Sequence, residues 1–347
     1  MLEQKGGINR TYTNLLIICL ISCFTWTSQA NDLIGSQSHK AAFPGSFESE
    51  NIYPTWCEGG LVVQTRSSVM EGNAKSQSTL VIYDRNGAKS QTGPIWIEGA
   101  SKVRLNSVTI NSKLHILTGG HAIAADGNMI GFMMLTDITG KPKLNIAMTP
   151  YVPEKVCFSA DGSLWALVSL IDMDGSGRGK DYPLLRQYSA DGKLIRAILP
   201  RSRFTVDLPP AVSNSGGGEV LMQSNRNTLG VFFGHANLWV EVDAAGQISE
   251  WTVKPLPFQG EDGKPKGFTK DVTAAAFLDS GSLYVGLSDA LLSGIYKLDK
   301  TSQRWVPVSG AEGRWRDNAI ALQGKEGNQL VFTNEKLGPE LRWGTVE

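Results

Sequence analysis

The chain has 347 residues, with 33 basic and 33 acidic side chains and a formal net charge of +0. That balance argues against nucleic acid or an anionic membrane surface as the default partner. Hydrophobic residues make up an ordinary 41%, and the 38 glycines suit a fold with many tight turns.

Lys5 and Arg10 precede an apolar run at 15–26, and Ser28-Gln29-Ala30 offers small residues where signal peptidase reads. A signal peptide is therefore expected over 1–30, giving an exported protein, periplasmic or secreted. The apolar run is too short to span a bilayer, so no transmembrane span is expected. Leu20-Ile21-Ser22-Cys23 resembles a bacterial lipoprotein box, and the alternative is an anchor through Cys23. Residues 31–41 are expected to form a flexible mature N-terminus, followed by one domain over 42–347. Beyond the leader only Cys57 and Cys157 remain.

Two series of turns then run down the chain. In one, an apolar residue ends a strand before a turn on Asp, Asn or Gly, at Tyr83, Leu135, Tyr188, Val242 and Leu298; the steps are 52, 53, 54 and 56 residues. A fixed period of this size, built from short strands, marks a radially repeated sheet. The other series is opened by Leu61, Leu114, Leu164, Val220, Leu283 and Leu330, each read as the start of the second strand of a unit. Phe158-Ser159-Ala160-Asp161-Gly162-Ser163-Leu164-Trp165 aligns with Phe277-Leu278-Asp279-Ser280-Gly281-Ser282-Leu283-Tyr284. Asp-Gly and Ser-Gly between β-favouring runs are hairpin turns, because glycine accepts the positive φ they need.

Six openers against five later turns leave the last unit one strand short. An open sheet edge there is unfavourable, so the mature N-terminus, somewhere in 42–53, is expected to supply the missing outer strand. The fold class is all-β: a six-bladed β-propeller of four-stranded antiparallel blades, closed by an N-terminal strand. Cys57 and Cys157 then fall on the innermost strands of blades one and three, about 12 Å apart, beyond the ~7 Å that a disulfide allows. Both are expected to be free.

The segment from Cys157 to Leu167 resembles the hairpin of the six-bladed propellers of the NHL, strictosidine-synthase and gluconolactonase kind. The resemblance concerns the scaffold and implies that ligands meet the face bearing the loops between second and third strands, around the central channel. Those loops are placed at 67–77, 119–128, 172–182, 225–236, 289–293 and 334–340. Blade-to-blade loops, including 149–154, 201–209, 258–271 and 310–317, reach the same face.

Three of the first kind carry apolar runs: Ala122-Ile123-Ala124-Ala125, Leu229-Gly230-Val231-Phe232-Phe233 and Ala290-Leu291-Leu292. Val231, Phe232 and Phe233 with His121, His235, Arg203, Arg226 and Arg316 (Arg314 lies nearby) describe a part-apolar surface with a cationic rim, suited to an organic anion or a peptide segment. The alternative is that these loop tips fold back and cap the blades. Asp172-Met173-Asp174-Gly175-Ser176-Gly177 resembles the first half of a calcium loop, making Asp172, Asp174 and nearby Asp181 candidate Ca2+ ligands. Pro183 stands where a closing glutamate belongs, and a glycine-rich hairpin loop accounts for the same residues.

The resemblance does not extend to chemistry. Glu58-Gly59 is the only fragment of the gluconolactonase metal pattern, and it falls on the opposite face. The NHL Asn-x-Arg signature and a Gly-x-Ser-x-Gly elbow are both missing. The expected function is a non-catalytic binding or interaction scaffold, a monomer, taking a small molecule or protein segment on its channel face. The alternative is a propeller enzyme, either a metal-dependent lactonase-type hydrolase or a quinoprotein dehydrogenase with His121 or His235 as base.

Overall fold

The computed structural model describes residues 41–42, 55–57, 60–66, 78–83, 89–171, 181–204, 220–254, 272–287, 294–308, 329–334 and 340–345. Among them are twenty-three β-strands and no α-helix. The expected leader, residues 1–30, lies outside the described residues. No helix among the described residues is long and apolar enough to cross a membrane.

Strand β1 is Ala41–Ala42. Sheet one holds β2 (Thr55–Cys57), β3 (Gly60–Arg66), β4 (Ser78–Tyr83) and β5 (Lys89–Gln91). Sheet two holds β6 (Ala100–Ile110), β7 (Ile116–Ala124), β8 (Met129–Thr136) and β9 (Pro142–Ala147). Sheet three holds β10 (Tyr151–Phe158), β11 (Leu164–Leu170), β12 (Pro183–Tyr188) and β13 (Leu194–Pro200). Sheet four holds β14 (Val220–Ser224), β15 (Thr228–Phe233), β16 (Leu238–Asp243) and β17 (Ile248–Thr252). Sheet five holds β18 (Val272–Phe277), β19 (Leu283–Leu287), β20 (Gly294–Asp299) and β21 (Arg304–Pro307). The last strands are β22 (Gln329–Asn334) and β23 (Glu340–Thr345).

Each of the five sheets is antiparallel with its strands in chain order. The remaining sheet has the order β1-β23-β22, with Ala41 opposite Leu341 and Ala42 opposite Glu340. The segment paired with β23 thus begins one residue before the expected 42–53.

Sheets one to five pack side by side through their faces. Leu80 and Ile82 of sheet one meet Val103, Ile116 and Phe132 of sheet two. Leu117 and Met133 meet Val156 and Leu164 of sheet three. Trp165 and Leu167 meet Val231 and Phe233 of sheet four, and Phe232 and Trp239 meet Phe277 and Val285 of sheet five. A second strand is therefore covered on both faces and reads as a continuous apolar run, as in Leu164 to Val168, all buried. Fourth strands such as β9 and β13 are largely exposed. First strands of successive sheets lie together, β2 by β6, β6 by β10, β10 by β14 and β14 by β18.

The five apolar leaders Tyr83, Leu135, Tyr188, Val242 and Leu298 all end a third strand, or stand one residue before its end. The turn after them has a local cause. Asp137 accepts from the backbone N–H of Thr139 and Lys141, and Gly140 takes φ 90°. Gly192 and Gly246 repeat this at 86° and 87°, while Gln303 takes the same left-handed conformation at 57° in the fifth turn.

The second-strand series needs two corrections. Leu114 sits in the hairpin turn at φ 58°, two residues before β7 begins. Val220 opens a first strand, and the second strand of sheet four begins at Thr228. The hairpin between them turns on Asn225, whose Oδ1 accepts from the N–H groups of Asn227 and Thr228.

Cys57 lies on β2 and Cys157 on β10, both first strands, as expected. Cys157 is free and buried, and burial pushes its thiol up to about 12 against an opposing hydrogen bond with Ser224. It is a small apolar filler and no nucleophile. The Cys57 side chain lies outside the described residues.

Candidate functional site

The register of sheet four moves three of the expected ligand residues into the interior. Val231, Phe232 and Phe233 lie on β15 with at most 1% exposure. They are core, because a second strand is sandwiched between neighbouring sheets. His121 likewise stands on β7 and not in a loop, and is buried. Arg203, on a short 3-10 turn at Arg201–Arg203, pairs with Glu250 of sheet four at 2.7 Å. Arg226 pairs with Asp279 at 2.7 Å, linking first-hairpin turns of sheets four and five, at the end opposite the second-to-third-strand loops. His235 falls on the turn Gly234–Ala236, between second and third strands, with its side chain outside the described residues. Arg314, Arg316, Asp172 and Asp174 also lie outside them.

Asp181 is engaged in the fold. Its carboxylate accepts from the backbone N–H of Ser202 at 2.9 Å and from the Ser202 hydroxyl at 2.8 Å, which holds it below the usual aspartate range. Among the described residues no group of three or more His, Cys, Asp or Glu could hold a metal ion.

A polar cluster occupies the seam between sheets two and three. On β6 the register shifts between Leu105 and Ser107, and on β10 between Pro153 and Lys155, so Asn106 and Glu154 are each the extra residue of a bulge. Bulges re-aim side chains, and these two aim at each other. Asn106 Nδ2 donates to the Pro153 carbonyl at 3.1 Å and to Glu154 Oε2 at 3.4 Å. The Ser169 hydroxyl donates to Glu154 Oε1. One position further on, the N–H of Val156 donates to Ser107 Oγ at 3.0 Å.

His121 belongs to this seam. Its cross-strand partners are Arg104 on β6 and Gly131 on β8, and directly opposed residues share a face. The missing Cβ of Gly131 would fall on the carbonyl oxygen of Tyr151, and that of Gly119 would sit 2.6 Å from Val156 and 2.8 Å from Pro153. The row Arg104, His121, Gly131 therefore faces the start of β10. These glycines are needed for the close approach of the two sheets. From sheet three, Tyr151 and Tyr182 set their rings 5.9 Å apart, and the Arg186 guanidinium covers the Tyr151 ring at 3.8 Å. Lys155 lies opposite Leu167, which packs toward sheet four, so it points away from the seam.

The electrostatics follow from this packing. Glu154 is 3% exposed, and burial raises its carboxyl to about 7 even though Ser169, Lys155 and Arg104 pull the other way. Burial lowers His121, and the charges of Arg104 and Lys102 lower it further. Burial raises Tyr182, against a backbone hydrogen bond with Leu170, and raises Tyr188, against Arg186. Two buried nitrogens beside the cluster have no hydrogen-bond partner, His121 Nδ1 and Arg186 Nε. The arrangement can bind or release a proton near neutrality and offers an open donor at Arg186 Nε and an unpartnered ring nitrogen at His121.

Glu154 escapes the sequence reading because 149–154 is taken as a loop. The available signal is Glu154-Lys155 between Val152 and Val156, a charged pair inside an apolar strand pattern. Arg186 and Tyr151 carry no signal of their own, since their meeting depends on the packing of β12 against β10.

Four-stranded antiparallel sheets, side by side with their first strands together, make this an all-β protein of propeller type. No protein-family model matches the chain, and no curated protein matches its sequence. Solved structures similar to it include a member of the DUF4221 family from Bacteroides vulgatus, at 12% identity over 92% of this chain and 99% of that one, with TM-score 0.48. A catalytically inactive virginiamycin B lyase from Staphylococcus aureus with quinupristin is similar at 12% identity, 91% and 99% coverage and TM-score 0.43. The WD40 β-propeller domain of Doa1 is similar at 11% identity, 90% and 98% coverage and TM-score 0.40. These likenesses concern the scaffold alone.

Proposed function

We propose that this chain is an exported, non-catalytic six-bladed propeller that binds a small molecule or a protein segment on its channel face. The leader supports export. The pairing of β1 with β23 supports a ring whose last blade takes its outer strand from the N-terminal side. Recognition is assigned to the channel end of the seam between sheets two and three. The observation that carries this assignment is the pair of buried, unpartnered nitrogens, His121 Nδ1 and Arg186 Nε, on the two sides of the seam near Tyr151.

Ring closure is tested by deleting residues 31–53. The shortened protein should melt at a lower temperature and aggregate through the bared edge of β23. Unchanged stability would count against closure.

The binding reading is tested by a thermal-shift screen of the mature protein against calcium, pyrroloquinoline quinone and a set of small metabolites. A ligand at a hundred times its Kd stabilises the native state by about 2.7 kcal/mol, which the melting temperature reports. At least one compound is expected to do so, with an effect that changes in Glu154→Gln. A screen with no hit, or with hits indifferent to this substitution, overturns the reading. A second reading, an enzyme with Glu154 as its acid or base, is favoured by the carboxyl poised at about 7. Turnover of a bound compound, lost in Glu154→Gln, would establish it over the first.

A further inference from the structure

We propose that the seam between sheets two and three is a site for a small organic carboxylate, received by Arg104, His121 and Arg186, with Glu154 as its internal competitor. This rests on the binding reading above and gives the chemical class of the ligand.

The seam already accommodates one carboxylate. Glu154 sits there with Ser169 and Asn106 donating to its two oxygens. The groups around it are cationic or hydrogen-bond donating. Arg104 stands opposite His121 on the same face, and Lys102 adds its charge from the same strand. Arg186 approaches from β12 and sets its planar guanidinium over the Tyr151 ring. Such a plane suits the two oxygens of a carboxylate.

The unpartnered nitrogens give the second line of argument. His121 is 8% exposed and its Nδ1 meets no acceptor or donor, and Arg186 Nε is a donor in every state yet meets no acceptor. Both surround Tyr151, since Arg186 covers its ring and Gly131, the neighbour of His121, abuts its carbonyl. A carboxylate supplies acceptor oxygens for Arg186 Nε, and for His121 Nδ1 in the tautomer that carries its proton there. The Tyr151 and Tyr182 rings form the wall for a short apolar body. An amine ligand would instead add positive charge beside Arg104, Lys102 and Arg186.

Competition with Glu154 makes the binding depend on a proton. The titratable and charged groups that act on or feel Glu154 are Arg104 from sheet two and Tyr182 from sheet three, with Lys155 next along its own strand. When Glu154 is ionised, held by Asn106 and Ser169, its charge repels a second anion. When it is protonated that repulsion is gone, while Arg104 and Lys102 still act on the seam by their charge. Glu154 titrates at about 7, so affinity is expected to fall about tenfold between pH 6 and pH 8.

The test uses acetate and succinate as probes on the whole mature protein, with chloride at equal ionic strength as control. The reported signals are the imidazole resonances of His121 and the melting temperature. Saturable shifts with the carboxylates but not with chloride are expected, about tenfold tighter at the lower pH. Glu154→Gln should bind at least as tightly and lose the pH dependence. His121→Asn and Arg186→Lys should each weaken binding by about tenfold or more. Absence of saturable binding in both the wild type and Glu154→Gln overturns the proposal, as does undiminished binding in folded His121→Asn and Arg186→Lys. If the metabolite screen yields a non-carboxylate ligand sensitive to Glu154→Gln while both probes fail, only the ligand class is wrong. If neither binds, the assignment of recognition to this seam fails as well.

Discussion

Replacing Phe232 and Phe233 together by alanine is expected to unfold the protein under conditions where the wild type is stable. The two rings point to opposite faces of β15 and fill different cores. Phe232 meets Trp305 of sheet five edge-on at 5.6 Å, and Phe233 meets Phe204 beside sheet three at 4.7 Å. Each truncation removes a fully buried aromatic and leaves a cavity, at a cost of about 3–5 kcal/mol. Because the cavities lie in separate cores the effects should nearly add, and a natural domain holds only about 5–15 kcal/mol in reserve. Urea unfolding of the two single variants and the pair gives the answer. A pair that loses less than about 1 kcal/mol while losing ligand binding would return these residues to a surface role.

Glu154→Gln is expected to reverse sign relative to most core substitutions and to stabilise the protein at alkaline pH by about 3 kcal/mol. Burial lifts the carboxyl from 4.5 to about 7, so between these values the folded chain keeps a proton that the unfolded chain has released. The stabilising contribution is fully present below about pH 4.5 and is lost as the pH rises through about 7. Glutamine mimics the protonated form at every pH. The difference between variant and wild type should therefore be near zero at about pH 4 and should reach its plateau above about pH 8. His121 acts the other way, since its lowered folded value makes stability grow as the pH rises toward 6.5, but it is common to both proteins and cancels. Asp137, Asp181, Asp191 and Asp299 are lowered too, and they matter only where the pH falls below the ordinary aspartate value of 3.8. Chemical denaturation across this range measures the difference, and a difference independent of pH would mean that Glu154 is ionised without penalty.

Much of the fold is legible in the sequence because its hairpins are local. Asp137, Asp243 and Asp299 each accept from backbone N–H groups a few residues ahead, so the side chain that names the turn also makes it. The same reasoning misplaces sheet four because its first hairpin lacks the glycine. Asn225 turns the chain instead, and the aromatic strand that follows it is read as a loop. Gly119 and Gly120 mislead for the opposite reason, since they make room for Val156 and Pro153 side chains and for the Arg104 backbone, and make no turn at all. The polar seam is legible only in part. His121 is visible as a histidine in an apolar run, whereas the pairing of Asn106 with Glu154 arises from two bulges on strands 48 residues apart, which no local pattern announces.

The antiparallel pairing of Ala41–Ala42 with β23 brings the two ends of the described chain together, since hydrogen-bonded strands run only about 4.8 Å apart. A peptide linker could therefore join the segment after Thr345 to the segment before Ala41 with little strain. New ends could then be opened at the exposed turn around Asp191 and Gly192, making the order of the sheets in the chain a matter of choice. Such a permuted protein would also carry β1 and β23 on one uninterrupted stretch, as neighbouring strands of a hairpin.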